Sequence, residues 1–79
     1  MTVEIEVLES DIATGERGNS CFCPIAIAIE RKLRKAVKVN GQVIFIEDKK
    51  IPTPLSAKNF IYCFDSGEPV RPFSFTLEW

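Results

Sequence analysis

The chain contains no histidine. That absence removes the usual general base, the Ser-His-Asp and Cys-His arrangements, and most catalytic zinc sites. Long apolar runs are also missing, and the longest is far too short to cross a membrane. Charge of one sign is not in excess: 10 basic residues stand against 11 acidic ones, a net charge of −1. A nearly neutral chain has no general attraction for nucleic acid. Cysteine is scarce and odd in number, at 3. The opening Met1-Thr2-Val3-Glu4 has neither the basic nor the apolar region of a secretory signal. Odd cysteines without such a signal argue for a reducing cytoplasm, not a disulfide scaffold. These absences together predict a non-enzymatic cytoplasmic protein with no cofactor, no resident metal and no membrane contact.

What is present is a short globular chain. Its 79 residues, 46% of them hydrophobic, predict a single domain, 1–79, with a thin core. A chain this short often gains stability by oligomerising.

The organising stretch is Asn19 to Ile29, a loop that runs into the most apolar helix candidate. Pro24 suits a first helical position, which makes Cys23 the N-cap, with Ser20 and Asn19 as rival caps. The helix is predicted over 24–35. Ile25, Ala26, Ile29 and Leu33 share one stripe, and Ile27 lies off it. Such a helix is either buried from two directions or part of a subunit interface.

Thr2–Leu8 alternates Val3, Ile5 and Val7 with polar residues, the pattern of a strand with one buried face. Glu9–Gly15 has room for one helical turn, stopped by Gly15. Asn40-Gly41 between β-branched runs predicts a two-residue hairpin turn with positive φ at both positions. Val37, Val39, Ile44 and Ile46 then share one face, with Ala36, Lys38, Val43 and Phe45 on the other. Glu47–Lys50 reads as a charged turn. A second helix is predicted over 54–65, capped by Thr53 and stopped by Gly67. Phe73, Phe75, Leu77 and Trp79 alternate in a last strand. The order β-α-β-β-α-β is that of a ferredoxin-like or similar α+β domain, with two helices on a four-stranded, mainly antiparallel sheet.

The loop before the first helix suggests chemistry. Glycine lets amides converge, and a helix N-terminus carries partial positive charge. The candidate ligand-binding residues are therefore Arg17, Gly18, Asn19, Ser20, Cys21 and Cys23, with Arg71 as a second charge. The competing reading is an exposed turn with caps, and no phosphate-loop lysine follows the glycines. Cys21, Cys23 and Cys63 offer three thiolates, but Cys-x-Cys is not the usual metal knuckle, and a fourth ligand would have to be Asp65 or water. Cys23, at a helix start, is the candidate reactive thiol, and Cys63 reads as a small core residue.

Three signatures, Cys23-Pro24-Ile25-Ala26-Ile27-Ala28, Phe60-Ile61 with Phe64-Asp65-Ser66-Gly67, and Pro72-Phe73-Ser74-Phe75, follow one another along most of the chain. In them the sequence resembles a family of short bacteriophage- and prophage-encoded proteins, which often carry leucine where Ile27 stands. The resemblance implies context and no transferable activity: a small accessory protein made during infection, acting by binding. Several such proteins block a bacterial immune effector or sequester its nucleotide signal.

Three functional readings compete. The first is capture of a small anionic ligand, such as a nucleotide immune signal, by the glycine loop. The second is inhibition of a host or defence protein through the two-faced strand Gln42–Ile46 or the terminal aromatics. The third is nucleic-acid binding by the basic run Arg31–Lys38, which a solvated helix end also explains. The surplus of apolar surface further predicts a homo-oligomer, with its ligand site near a subunit boundary.

Overall fold

The computed structural model describes residues 2–79. The elements run β1 (Thr2–Val7), α1 (Glu9–Thr14), α2 (Pro24–Leu33), β2 (Val37–Val39), β3 (Val43–Ile46), β4 (Lys49–Pro52), α3 (Leu55–Asp65) and β5 (Phe73–Glu78). β1 pairs antiparallel with β5, from Thr2 opposite Glu78 to Val7 opposite Phe73. β2, β3 and β4 form a separate antiparallel meander.

The α+β class is as expected, but the architecture differs from one four-stranded ferredoxin-like sheet. There are two sheets, of two and three strands, and three helices. The added strand is β4, read from the sequence as a charged turn and helix lead-in. It lies at the edge of its sheet, with Lys49 and Lys50 exposed, and so carries little apolar pattern. Pro52 is compatible with that edge. Thr53 N–H bonds Gln42 C=O, so alternation along the ladder turns Pro52 outward, where no N–H is needed.

α2 lies between the sheets and packs against β1, β2 and α1. Pro24, Ile25, Ala26, Ala28 and Ile29 are buried, and Ile27 is half-buried. The helix is thus covered from two directions within one chain. Cys23 caps it as expected, its Sγ accepting from Ala26 N–H at 3.4 Å. It ends earlier than predicted because Arg34 adopts left-handed φ (60°) and turns the chain toward β2.

The short helix α1 is locked onto α2 by a buried charge. Asp11 is only 2% exposed. Its carboxylate accepts Leu8 N–H at 2.8 Å, capping α1, and receives both arms of the Arg31 guanidinium at 2.5 and 2.9 Å. The same guanidinium donates to Glu6 C=O at 2.9 Å, so one side chain ties α2 to α1 and β1. Gly15 completes the junction, since a Cβ there would lie 2.6 Å from the Pro24 ring.

The hairpin turn also differs from expectation. Val39 faces Ile44 and Val37 faces Ile46, two positions away from the predicted register. The shift is even, so the same four side chains still face the core. Neither Asn40 nor Gly41 has positive φ. Instead Asn40 Oδ1 accepts the N–H groups of Gln42 and Val43, both at 2.8 Å, an Asx turn that replaces the expected one. Thr53 does not cap α3, because its hydroxyl donates to Asn40 C=O at 3.0 Å, and Pro54 takes the N-cap. On α3, Phe60 stacks with Phe64 and Phe73, and Phe73 with Phe75, joining the helix to β5.

Arg31→Leu is expected to lower stability by about 2–3 kcal/mol, because it leaves the Asp11 carboxylate buried without its charged donor. Urea denaturation measures this, and an unchanged midpoint would refute it. Gly41→Ala is expected to be neutral or to stabilise by about 0.4–1 kcal/mol. No atom lies within 4 Å of a Cβ placed there. A loss of stability in thermal melts would restore the positive-φ turn.

Candidate functional site: the glycine loop and the open edge of β2

The residues singled out from the sequence are divided by the fold among different places. Gly18, Asn19, Ser20 and Cys23 line one small pocket of about 150 Å³, shared with Val39, Asn40, Gly41, Ile61 and Asp65. Cys21 turns to a different, larger groove. The Arg17 guanidinium lies 3.5 Å from where a Gly67 Cβ would be, against the C-terminal end of α3, where a cation complements the helix dipole. Arg71 is exposed and joins neither place.

Several of the loop amides are already engaged. Gly18, at φ 68°, donates its N–H to Asp65 Oδ1 at 3.0 Å. Asn19 Oδ1 accepts from Cys21 N–H at 3.0 Å and from Phe22 N–H at 3.3 Å. Ala26 N–H is held by Cys23 Sγ. Four of the amides around the loop and helix start are thus used by the protein's own acceptors, and the Asp65 carboxylate among those acceptors opposes an anion. Asp65, named from the sequence as a candidate metal ligand, fastens the glycine loop to α3.

Cys23 is not an activated thiol. Burial pushes its pKa above the ordinary value of 9.0, and that outweighs the hydrogen bonds from the start of α2. Among the described residues no group of three or more Cys, Asp or Glu is placed to hold a metal ion. Of the basic run, Arg31 is held by Asp11, Lys35 lies 3.4 Å from Glu47 and 5.9 Å from the Trp79 ring centroid, and Lys32 and Arg34 share a groove with Arg31, Glu4 and Glu6. No described helix is long and apolar enough to cross a membrane.

The groove that Cys21 joins has about 490 Å³ and is also lined by Glu30, Ala36, Val37, Lys38, Phe45 and Glu47. It runs along the outer edge of β2. In an antiparallel ladder each residue points its backbone groups to one side, and neighbours alternate. Glu47 N–H bonds Ala36 C=O, and Asn40 N–H bonds Val43 C=O, so Ala36, Lys38 and Asn40 face β3. Val37 and Val39 therefore face away. Val39 N–H confirms this, since it donates to Ser20 C=O at 2.9 Å. The loop thus occupies one position of the β2 edge in the manner of a strand. The next position, Val37, has no hydrogen-bond partner for its N–H or C=O among the described residues, although the residue is only 3% exposed. Beside it Phe45 is 37% exposed on the outer face of the sheet. Sequence reasoning marked the two-faced strand Gln42–Ile46 but not this edge, because edge pairing depends on where the Ser20 loop lands.

Comparison with protein-family models, with curated proteins and with solved structures found no match for the chain. The fold and the groove therefore have to supply the functional reading by themselves.

Alkylation of the native protein is expected to modify Cys21 well before Cys23, and mass mapping of the labelled peptides reads the order. The raised Cys23 pKa also has a sign in stability. The unfolded thiol ionises first, so the stability difference is complete below 9.0 and declines as pH rises above it. Cys23→Ala is expected to flatten that alkaline decline, and an unchanged pH profile would refute the assignment.

Proposed function

We propose that this is a small non-enzymatic binding protein that captures an extended segment of a partner protein by strand addition at the β2 edge. The observation that supports it is the unpartnered Val37 N–H and C=O at the floor of an apolar groove. An added strand would satisfy both groups, giving affinity through the main chain, while side chains in the groove give selectivity. Glu30 and Glu47 on one hand and Lys38 on the other line the same groove, so it favours segments of mixed charge around an apolar residue. The resemblance to phage-encoded proteins supplies the setting: a host or defence protein as partner, met in the host cytoplasm. Capture of a small anionic ligand at Gly18–Ser20 has less support, because the Asp65 carboxylate holds the Gly18 amide and Asn19 holds the Cys21 and Phe22 amides that follow.

The test is a displayed library of random heptapeptides selected on the wild-type protein. Binders are expected to lose at least tenfold in affinity on Val37→Pro, which removes the outward N–H and spares the β2–β3 ladder bonds but also exchanges a buried side chain, so circular dichroism first checks that the variant is folded. Phe45→Ala, outside the buried core, is expected to weaken the same peptides. Binders indifferent to both substitutions would overturn the proposal, as would a selection that yields none.

A further inference from the structure

An open strand edge is a template for any chain, including a copy of the same one. We infer that, when no partner segment is bound, the β2 edge is closed by the β2 edge of a second copy, related by a two-fold axis through Val37. This rests on the reading of that edge as the contact surface and adds its occupant in the free protein. In such a pairing Val37 N–H of each copy meets Val37 C=O of the other, and both orphaned groups are satisfied at once. The pairing cannot extend past Val37 toward Val39, because Ser20 already holds Val39 N–H. The shared stretch is therefore limited to Ala36–Lys38 of each copy.

Charge complementarity on the outer face points to a second copy. Lys38 lies opposite Phe45, and Ala36 lies beside Glu47 across the β2–β3 ladder. Antiparallel self-pairing about Val37 sets Lys38 of one copy beside Ala36 of the other. Glu47 of that other copy lies one strand further on. Two strand spacings are ~10 Å between the Cβ atoms, a span that lysine and glutamate side chains bridge together. Ala36 is the small residue in between, and the Lys38 stem crosses it. The two-fold repeats the pair, so each copy gives a cation and an anion, as a self-complementary interface requires. Each copy also lays Ala36–Lys38 into the other's groove, beside Phe45 and Cys21. The contact is small, so association is weak and rises with concentration. A partner segment and a second copy cannot hold the edge together, so binding dissociates the dimer.

Sedimentation equilibrium over a concentration series tests this. The wild-type mass is expected to rise from one chain toward two. Lys38→Glu and Glu47→Lys are each expected to weaken association at least about tenfold, by placing like charges together. Both residues are exposed, and Glu47 gives up only an exposed ion pair with Lys35. Lys38→Glu combined with Glu47→Lys is expected to restore the dimer. A wild-type mass of one chain at every concentration would overturn self-pairing while leaving peptide capture to its own test. A dimer insensitive to the single substitutions, or one that the double substitution fails to restore, would place the two copies on another surface. If selected peptides bind without dissociating the dimer, the shared edge is refuted.

Discussion

Burial of α2 on both sides is the constraint on which the rest of the structure depends. The run Ile25–Ile29 contains no polar residue, and a helix of that kind is stable only if apolar surface meets it from more than one direction. A single sheet beneath it would cover one stripe. The chain meets the demand with two small sheets, β1–β5 on one flank and β2–β3–β4 on another, and their inward side chains join those of α2 in one cluster. For 79 residues this is an economical use of apolar area, since Ile25, Ala26, Ala28 and Ile29 are all buried inside the same chain.

Splitting the sheet has a polar consequence. Several connections must be held without a continuous ladder, and single side chains do that work. Asp11 caps α1 and anchors Arg31, which reaches β1. Asp65 holds Gly18, and Asn19 holds the two amides that follow the loop bend. The Asn40 side chain folds the β2–β3 turn, and its C=O accepts the Thr53 hydroxyl, fastening the end of β4. Each is a short polar side chain that bonds nearby backbone N–H groups, and Asp11 holds the Arg31 guanidinium as well. The glycine loop belongs to this set. Glycine and a helix start would suit an anion there, but the Gly18, Cys21 and Phe22 amides already serve structure.

Local patterns made the elements legible, and non-local pairing decided what the patterns left open. Pro24 after Cys23 gave the start of α2, and the alternations at Val3–Val7 and Phe73–Leu77 gave β1 and β5, because each signal lies within a few residues. The core face of β2 and β3 was right even though the turn was not, because an even shift of register keeps the same side chains inward. Lys49–Pro52 left no apolar trace, since an edge strand with charged residues and a proline looks like a loop. Asp65 lies 47 positions from Gly18, and nothing local relates the two. The residues Arg17, Cys21 and Arg71 were grouped by sequence proximity or by charge, and the fold sends them to separate surfaces.

The strand order also leaves one edge of the meander open. Here β1 takes β5 as its partner and β4 takes the free side of β3, which leaves β2 exposed at the far side of the meander. The Ser20 loop covers Val39 but cannot reach Val37, because the chain must turn at Asn19 and enter α2 at Pro24. The open position is thus a product of the arrangement that buries α2. Proteins commonly blunt such edges with charge, proline or extreme shortness. β4 carries two lysines and Pro52, and β2 is short but keeps Val37 at an apolar groove. Of the two edges of this sheet, one is protected by its own residues, and the other keeps Val37 unpaired at a groove, which is where we propose that another chain adds.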